Sequence, residues 1–264
     1  MTILECRNLY KRYVRNDVSA EALIDVSMQL AKGEVLGIAG MSGSGKSTLL
    51  KMISGLEKPD RGELFLEGRP LLVPRSREQY RKIQMIFQDP ASSFNPRRKI
   101  SVSIREAVRK LNGKEAACDL AALAESVGLD PALADRYPGE LSGGQCQRFA
   151  IARALASNPD ILLCDEITSA LDVTTQDLIL DLMTDICAKS SLSVIMVSHD
   201  LAVLSRMCSR IIVMTEGRIV EEGPAEAVLF NPQEEYTKTL VESVLALDPD
   251  AFTPKKALSG MPHE

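Results

Sequence analysis

Short apolar runs alternate with longer amphipathic segments along most of the chain. Residues 3–38 alternate between apolar and polar positions, which predicts strands, and a turn at 31–34 precedes the short buried strand "VLGIAG". The apolar runs at 161–166 and 193–200 predict two more buried strands, and the segment from Thr174 to Lys189 between them is helical in pattern. Strand, helix and strand in this order predict a largely parallel sheet with crossover helices.

The middle and the end of the chain have a different pattern. An apolar stripe with the spacing i, i+3, i+4 and i+7 predicts a helix packed on a core; it consists of Leu120, Leu123, Ala124 and Val127. A further helical stretch follows Pro224, and the last residues, "FTPKKALSGMPHE", are polar and proline-bearing. We expect them to form a loose tail.

The composition describes a globular chain and excludes several classes of protein. Its 264 residues, 45% of them hydrophobic, can bury a sizeable core. The net charge is −5 and the basic residues form no long stripe, so we expect no nucleic-acid partner. No secretion-signal layout and no apolar run of membrane-spanning length is present, so we expect a cytoplasmic protein that meets membranes only through partners. Six scattered cysteines without a C-x-x-C pair are expected to be reduced thiols.

The stretch "GMSGSGKST" matches the pattern G-x-x-x-x-G-K-[ST] between a predicted strand and a predicted helix. Its glycines let backbone N–H groups surround phosphate oxygens, Lys46 adds a positive charge, and Ser47 offers a hydroxyl to Mg²⁺. The alternative is a glycine-rich turn with a surface lysine. We predict a site for ATP and Mg²⁺ that is formed by Gly40, Ser42, Gly43, Ser44, Gly45, Lys46, Ser47 and Thr48.

Two adjacent carboxylates, Asp165 and Glu166, close the apolar strand "ILLCDE". Burying them without a cation is costly, and Mg²⁺ supplies a cation. Because successive side chains of an extended segment point to opposite sides, we assign Asp165 to the metal and Glu166 to a water molecule. The alternative is an acidic strand end that caps a neighbouring helix.

Two more polar side chains are expected at the same edge of the sheet, since Gln88 and His199 end predicted strands. An imidazole can hydrogen-bond the γ-phosphate or the attacking water, and an amide can reach the metal or the water. A lone histidine in this position can instead be structural, and Gln88 alone carries little information. We predict that the catalytic residues are Glu166, His199 and Gln88, and that the Mg²⁺ ligands are Ser47, Gln88 and Asp165.

A second anion cradle is predicted at "LSGGQ". A serine and paired glycines that open a predicted helix leave N–H groups unpaired beside the positive end of the helix dipole. A single bound nucleotide would not need two anion cradles on the same chain. We predict that the second cradle binds nucleotide through Ser142, Gly143, Gly144 and Gln145.

Taken in order, these stretches resemble the ATP-binding subunits of ABC transporters, and the resemblance runs from about Thr2 to Pro249. The phosphate loop resembles the Walker A motif, Gln88 the Q-loop, "LSGGQ" the signature, "ILLCDE" the Walker B motif, "SALD" the D-loop, and His199 the switch histidine. Ile167 stands where many members carry proline, and Cys146 and Cys164 also depart from the usual residues. None of the three removes a chemical group that the site needs.

The resemblance implies an α/β fold of the P-loop NTPase type, with a RecA-like core, an antiparallel β subdomain and an inserted helical subdomain. We expect the N-terminal part of the core, with the β subdomain, at 1–88 and the helical subdomain at 89–157, ending just after the signature. The C-terminal part of the core is expected at 158–225, and an importer-type extension with the loose tail at 226–264.

The resemblance also implies a head-to-tail homodimer or heterodimer, in which the signature of one subunit grips the γ-phosphate held by Lys46 of the other. Tyr13 would stack on adenine, with Tyr10 as a competitor, and Asp172 would help to position the opposite site. Two transmembrane permease subunits and, indirectly, an extracytoplasmic solute-binding protein are the implied partners. They would hold the chain at the inner face of the cell membrane.

Two stretches resemble the importers for oligopeptides, dipeptides and nickel: "FQDPASSFNPR" and "LFNPQEEYTKTLVESV". Glu234 and Glu235 replace the His-Pro of those proteins, so the second match is partial. An importer ATPase is therefore the leading hypothesis. The alternatives are a soluble ABC-type ATPase of an assembly or metabolic complex, such as phosphonate breakdown or iron–sulfur assembly, and a monomeric P-loop kinase, which has no use for the signature.

Overall fold

A computed structural model describes residues 1–15, 18–113, 115–247 and Phe252. The strands are β1 (Thr2–Arg15), β2 (Val18–Ala31), β3 (Val35–Ala39), β4 (Arg61–Leu66), β5 (Arg69–Pro70), β6 (Ile83–Ile86), β7 (Ile161–Asp165), β8 (Ser193–Ser198), β9 (Arg210–Thr215) and β10 (Arg218–Pro224). The helices are α1 (Lys46–Ser54), α2 (Arg77–Lys82), α3 (Ile100–Asn112), α4 (Leu120–Ser126), α5 (Gly143–Leu155), α6 (Val173–Lys189), α7 (Leu201–Met207), α8 (Ala225–Phe230) and α9 (Glu235–Leu247). Apart from Phe252, the predicted tail lies outside the described residues.

A six-stranded sheet with the order β10-β9-β3-β8-β7-β6 forms the centre of the fold. Its strands from β9 to β6 pair in parallel, and only the edge strand β10 pairs antiparallel. Every residue of β7 and β8 is buried, as parallel strands covered on both faces require. The predicted parallel sheet with crossover helices is confirmed.

The strand register brings several predicted site residues to one edge of this sheet. Ala39 pairs with Ser198, so Gly40 and His199 leave the sheet side by side. Asp165 pairs with Val197 on the other flank of β8. The predicted strand at 82–88 is shorter than expected, because its pairing with β7 ends at Ile86, and Gln88 therefore lies in the following loop rather than in the strand.

A second sheet, with the order β2-β1-β4-β5, is antiparallel throughout. It packs with α1 on one face of the parallel sheet, where Leu4, Val26, Ile38 and Leu49 belong to one buried cluster. The opposite face is covered by helices whose buried residues form a second cluster. The expected α/β fold with an antiparallel sheet is confirmed, whereas the subdomain boundaries stay a prediction.

The helical region contains α3, α4 and α5. Of the predicted apolar stripe, Ala124 and Val127 are buried, and Leu120 and Leu123 pack against the same cluster. The α5 helix begins at Gly143, because Ser142 caps it.

All six cysteines are free, as expected, and four of them are buried. Burial raises the pKa of Cys146 to about 11, so this thiol stays protonated beside the signature. Within the part of the chain that the structure describes, no helix has both the length and the hydrophobicity needed to cross a membrane.

Candidate active site

A cavity of about 640 Å³ opens at the carboxyl edge of the parallel sheet. It is lined by most of the predicted phosphate loop together with Gln88, Glu166 and His199. Ala22 and Leu240, which the sequence did not single out, also line it. Another cavity, of about 530 Å³, lies around Glu34 and Arg210 and contains none of the predicted site residues. The chemistry therefore concentrates at the sheet edge, where parallel α/β proteins bind ligands.

Two glycines of the phosphate loop have a structural reason to be glycine. Gly40 and Gly45 have φ angles of 147° and 105°. A Cβ on Gly40 would lie 2.2 Å from the carbonyl oxygen of Met214, and one on Gly45 would lie 2.4 Å from that of Ala22. The loop thus passes against the backbone of two other strands, which only glycine permits. These contacts hold the loop in position before any ligand binds.

The Lys46 side chain is buried and folds back onto the phosphate loop. Its Nζ donates to the carbonyl oxygens of Gly40 (2.7 Å) and Met41 (2.8 Å), and the Oγ of Ser44 lies 3.3 Å away. No carboxylate of the described residues lies within ion-pair distance of it, and burial lowers the pKa of Lys46. A buried ammonium held only by neutral oxygens fits an anionic ligand that would replace them.

Ser47 and Asp165 meet although 118 residues separate them. The Oγ of Ser47 donates to Oδ1 of Asp165 over 3.0 Å. Burial raises the pKa of Asp165, and the hydrogen bond from Ser47 opposes that shift. A hydroxyl and a carboxylate are ligands that suit Mg²⁺. Within the described residues, no group of three or more His, Cys, Asp or Glu side chains could hold a metal, so an ion here would need phosphate oxygens or water as further ligands.

Glu166 and Asp165 have different hydrogen-bond partners. The strand ends at Asp165, which accepts from Ser47, and Glu166 leaves the strand with a left-handed φ of 48°, so the strand alternation assumed from the sequence does not extend to Glu166. Strained backbone in a non-glycine residue is concentrated at functional sites. Oε2 of Glu166 accepts from Nε2 of Gln88 at 2.9 Å, and Oε1 lies 3.4 Å from Nδ1 of His199. Of the three side chains predicted as catalytic, Gln88 and His199 therefore each approach one oxygen of Glu166.

Ser169 completes this group, and sequence analysis missed its contribution. Its Oγ donates to the backbone oxygen of Glu166 at 3.0 Å and lies 3.4 Å from Nε2 of Gln88. It thereby closes the turn that holds Glu166 in its left-handed conformation. Nothing in the sequence distinguishes a serine with this role from an ordinary exposed serine in a polar turn.

The signature residues form a separate structure. Ser142 caps α5 by accepting from the N–H of Gln145 at 3.2 Å, and Oε1 of Gln145 accepts from the N–H of Ser142 at 3.0 Å. This is a capping box, in which Gln145 is committed to the helix start. None of the residues 142–145 lines the cavity that contains Lys46. The two predicted anion cradles of one chain therefore do not form one site.

Asp172 caps the neighbouring helix α6, where its carboxylate accepts from the N–H of Thr175 at 2.9 Å and from its Oγ1 at 2.8 Å. A Cβ on Gly144 would lie 2.5 Å from Cγ2 of the same Thr175. Gly144 is therefore needed for the close packing of α5 on the start of α6. The roles predicted for Asp172 and for the signature toward a nucleotide stay predictions.

Tyr13 is the residue predicted to stack on adenine. It lies in β1 opposite Ala20 of β2, is 38% exposed, and has its ring centre 5.5 Å from Nζ of Lys11. It is not among the residues that line the cavity, although Ala22 on the same hairpin is. Adenine stacking by Tyr13 stays a prediction.

Comparison with known proteins gives a consistent result. The family described as ABC transporter matches residues 23–169. The dipeptide transport ATP-binding protein DppF of Haemophilus influenzae is 40% identical over 246 residues, which cover 91% of this chain and 75% of that protein. The glutathione import ATP-binding protein GsiA of Escherichia coli is 42% identical over 269 residues, which cover 97% of this chain and 43% of that protein. The chain thus spans less than half of the length of GsiA.

Solved structures resemble the fold over most of its length. A dimeric post-hydrolysis state of the ATP-binding cassette MJ0796, bound to ADP and Pi, superimposes with a TM-score of 0.75 at 31% identity, covering 84% of this chain and 99% of that one. The protein cbiO1 of Clostridium perfringens, described as part of the ABC transporter complex cbiONQ, gives a TM-score of 0.74 at 26% identity. That match covers 94% of this chain and 96% of the other.

Proposed function

Because the chain belongs to the ABC transporter family, we propose that it is the ATP-hydrolysing subunit of an importer whose cargo is a peptide or a related small solute. One observation carries the proposal: the phosphate loop and the Glu166–Gln88–His199 group line a single cavity, and Ser47 of that lining is hydrogen-bonded to Asp165. The peptide cargo is supported by the relatives, which include dipeptide and glutathione import proteins.

The chain's own residues supply a route for ATP hydrolysis. Lys46 exchanges its bonds to the carbonyls of Gly40 and Met41 for the β- and γ-phosphate oxygens. Ser47 and Asp165 would hold Mg²⁺, and the charge of the ion would offset the negative charge on the phosphates. Glu166 orients the attacking water and accepts its proton, while Gln88 donates to one oxygen of the Glu166 carboxylate and His199 lies 3.4 Å from the other.

Two subunits are needed for a complete site. The signature of one chain lies outside the cavity of the same chain, and the N–H groups of Gly143 and Gly144, which the capping box does not use, can contact a nucleotide held by another subunit. In this arrangement ATP joins two subunits, and hydrolysis removes the γ-phosphate that links them. The resulting cycle of closing and opening is the mechanical output of the ATPase.

The partners follow from this cycle. We propose that a like or paralogous ATPase subunit completes the dimer and that two transmembrane permease subunits hold it at the inner face of the membrane. The loop after Gln88 and the helical region at 89–157 would transmit the motion, and an extracytoplasmic solute-binding protein would deliver the cargo. Co-purification with membrane subunits supports the importer, whereas a stable complex with soluble enzymes would support the alternative of a non-transport ATPase.

The shared site is tested with Ser142→Arg, which places a large cation where the signature should meet the partner's γ-phosphate. We expect turnover to fall about 100-fold or more, as when a donor to transition-state charge is lost, while each subunit still binds ATP. Ser142→Asp should be equally inactive, because it keeps a good helix cap but repels phosphate. Ser126→Arg, at an exposed serine of the neighbouring helix α4, is the matched control. Normal turnover of the Ser142 variants would refute the crossed arrangement.

A further inference from the structure

The C-terminal helix α9 touches the phosphate loop, from which 195 residues of chain separate it. The hydroxyl oxygen of Tyr236 accepts a hydrogen bond from the backbone N–H of Met41 at 3.1 Å. One turn further along the helix, Leu240 lines the cavity that contains Lys46, Glu166 and His199. Both residues lie outside residues 23–169, which match the transporter family. The contact is therefore an addition to the shared motifs.

The helix is fixed to the same frame as the loop. Glu221 of β10 accepts from the N–H groups of Gln233 (2.8 Å) and Glu234 (3.2 Å), which directly precede α9. At the β9–β10 turn, the N–H of Gly217 donates to the carbonyl oxygen of Ser44 at 3.1 Å. Val241 of the helix is buried. One hairpin thus holds both the phosphate loop and the start of α9, so the Tyr236 contact joins two supported elements.

The Met41 peptide shows what this contact can do. Its carbonyl oxygen accepts from Nζ of Lys46 at 2.8 Å, and its N–H is held by Tyr236. When Lys46 turns to the phosphates, as the proposed function requires, the carbonyl loses that bond and the bond to Tyr236 remains. The side chain of Met41 is 63% exposed and does not anchor the loop. Tyr236 is then the side-chain contact that keeps this end of the loop in place.

We propose that Tyr236 is a positioning residue for ATP: through it, the C-terminal helix holds the phosphate loop in its binding geometry, and Leu240 forms part of the wall of the site. The proposal rests on the proposed function, because it assumes that the loop binds a nucleotide. It extends the nucleotide site to the importer-type stretch "LFNPQEEYTKTLVESV", which lies outside residues 23–169 and to which the sequence assigned no role toward ATP. By thermodynamic reciprocity, a helix that strengthens ATP binding is itself held more firmly when ATP is bound.

The decisive variant is Tyr236→Phe, which removes one oxygen atom and keeps the ring. One neutral hydrogen bond corresponds to a change of about 2- to 12-fold in an equilibrium constant, so we expect the Kd and KM for ATP to rise within that range. The kcat should stay within about twofold, because Tyr236 contacts no reacting group. Amide exchange at Met41 should become faster in the nucleotide-free variant.

Two controls separate this role from general stability. Tyr80→Phe, in α2 and outside the cavity lining, deletes a hydroxyl that has no hydrogen bond to a described residue and should leave ATP affinity unchanged. Val241→Ala removes buried volume from the same helix and should lower the unfolding temperature while leaving the Kd for ATP at the wild-type value. In the wild-type chain, ATP should slow amide exchange across 235–247.

The outcomes distinguish the two proposals. If the wild-type chain fails to bind ATP, the proposed function fails and this inference falls with it. If the wild-type chain binds ATP but Tyr236→Phe binds it equally well, only the positioning role is overturned. The positioning role is also overturned if ATP leaves amide exchange in α9 unchanged, a measurement that needs no variant.

Discussion

Replacing Glu166 by glutamine tests the proposed chemistry most directly, because the structure limits what the substitution changes. The carboxylate accepts from Nε2 of Gln88 at 2.9 Å on one oxygen, and Nδ1 of His199 lies 3.4 Å from the other. A glutamine has nearly the same shape and can keep its carbonyl oxygen toward Nε2 of Gln88. The backbone strain at a φ of 48° is the same for both residues. The capacity to take a proton from water is the property that is lost.

The magnitude follows from that single loss. Positioned general bases contribute about 10²- to 10⁴-fold to a rate, so we expect kcat to fall by this factor in Glu166→Gln. That range corresponds to about 3–5 kcal/mol of transition-state stabilisation. The affinity for ATP should change less than about threefold, since Lys46 and Ser47 are untouched. With hydrolysis blocked, ATP should accumulate in a stable dimer.

The assay combines phosphate release under saturating ATP and Mg²⁺ with gel filtration in the same buffer. Glu67→Gln is the matched control, because Glu67 also has a positive φ, of 50°, and accepts from Lys82 at 2.6 Å, but lies in the β4–β5 turn. It should keep wild-type turnover. A Glu166→Gln chain that stays monomeric with saturating ATP, or that loses less than tenfold in kcat, would refute the assigned role.

Two further predictions concern the loop and the metal pair. Gly45→Ala should destabilise the fold by about 1–3 kcal/mol or more and abolish ATP binding, because its Cβ would lie 2.4 Å from the Ala22 oxygen at a φ of 105°. Gly68→Ala is the control for backbone strain alone, because Gly68 has a φ of 74° and no atom within 4 Å of the added Cβ. Equal melting temperatures of the two variants would contradict the steric argument. Since the native pKa of Asp165 is raised above its ordinary 3.8, the folded state retains a proton that the unfolded state releases, and stability falls as pH rises from 3.8 to the raised pKa. Asp165→Asn should therefore melt at a higher temperature than the wild type at neutral pH but not at low pH, while losing Mg²⁺-dependent turnover; an unchanged melting temperature at both pH values would contradict this.

Much of the site could be predicted because its chemistry is local. The strand, glycine loop and helix around Lys46 are contiguous in the chain, and the need for glycine at Gly40 and Gly45 follows from a backbone that must pass close to other atoms. Asp165 ends one buried strand and His199 follows another, and parallel strands bring their ends to one edge. These residues could be assigned because each lies at the end of an element that the local residue pattern predicts.

Other features depended on distant parts of the chain. The left-handed turn at Glu166 and its closure by Ser169 arise where β7 stops pairing, and the hydrophobic pattern carries no information about backbone torsion there. The end of β6 at Ile86, which leaves Gln88 in a loop, is decided by its single partner strand. The residue pattern also could not predict that Tyr13 lies outside the cavity lining.

The sequence by itself determined the kind of chemistry, the order of the motifs and the parallel sheet that carries them, because residue type and spacing act through neighbouring backbone. Only the tertiary structure decided that the signature lies apart from the Lys46 cavity and that Tyr236 touches Met41. Such contacts result from the packing of whole elements, and many packings are compatible with the same local pattern.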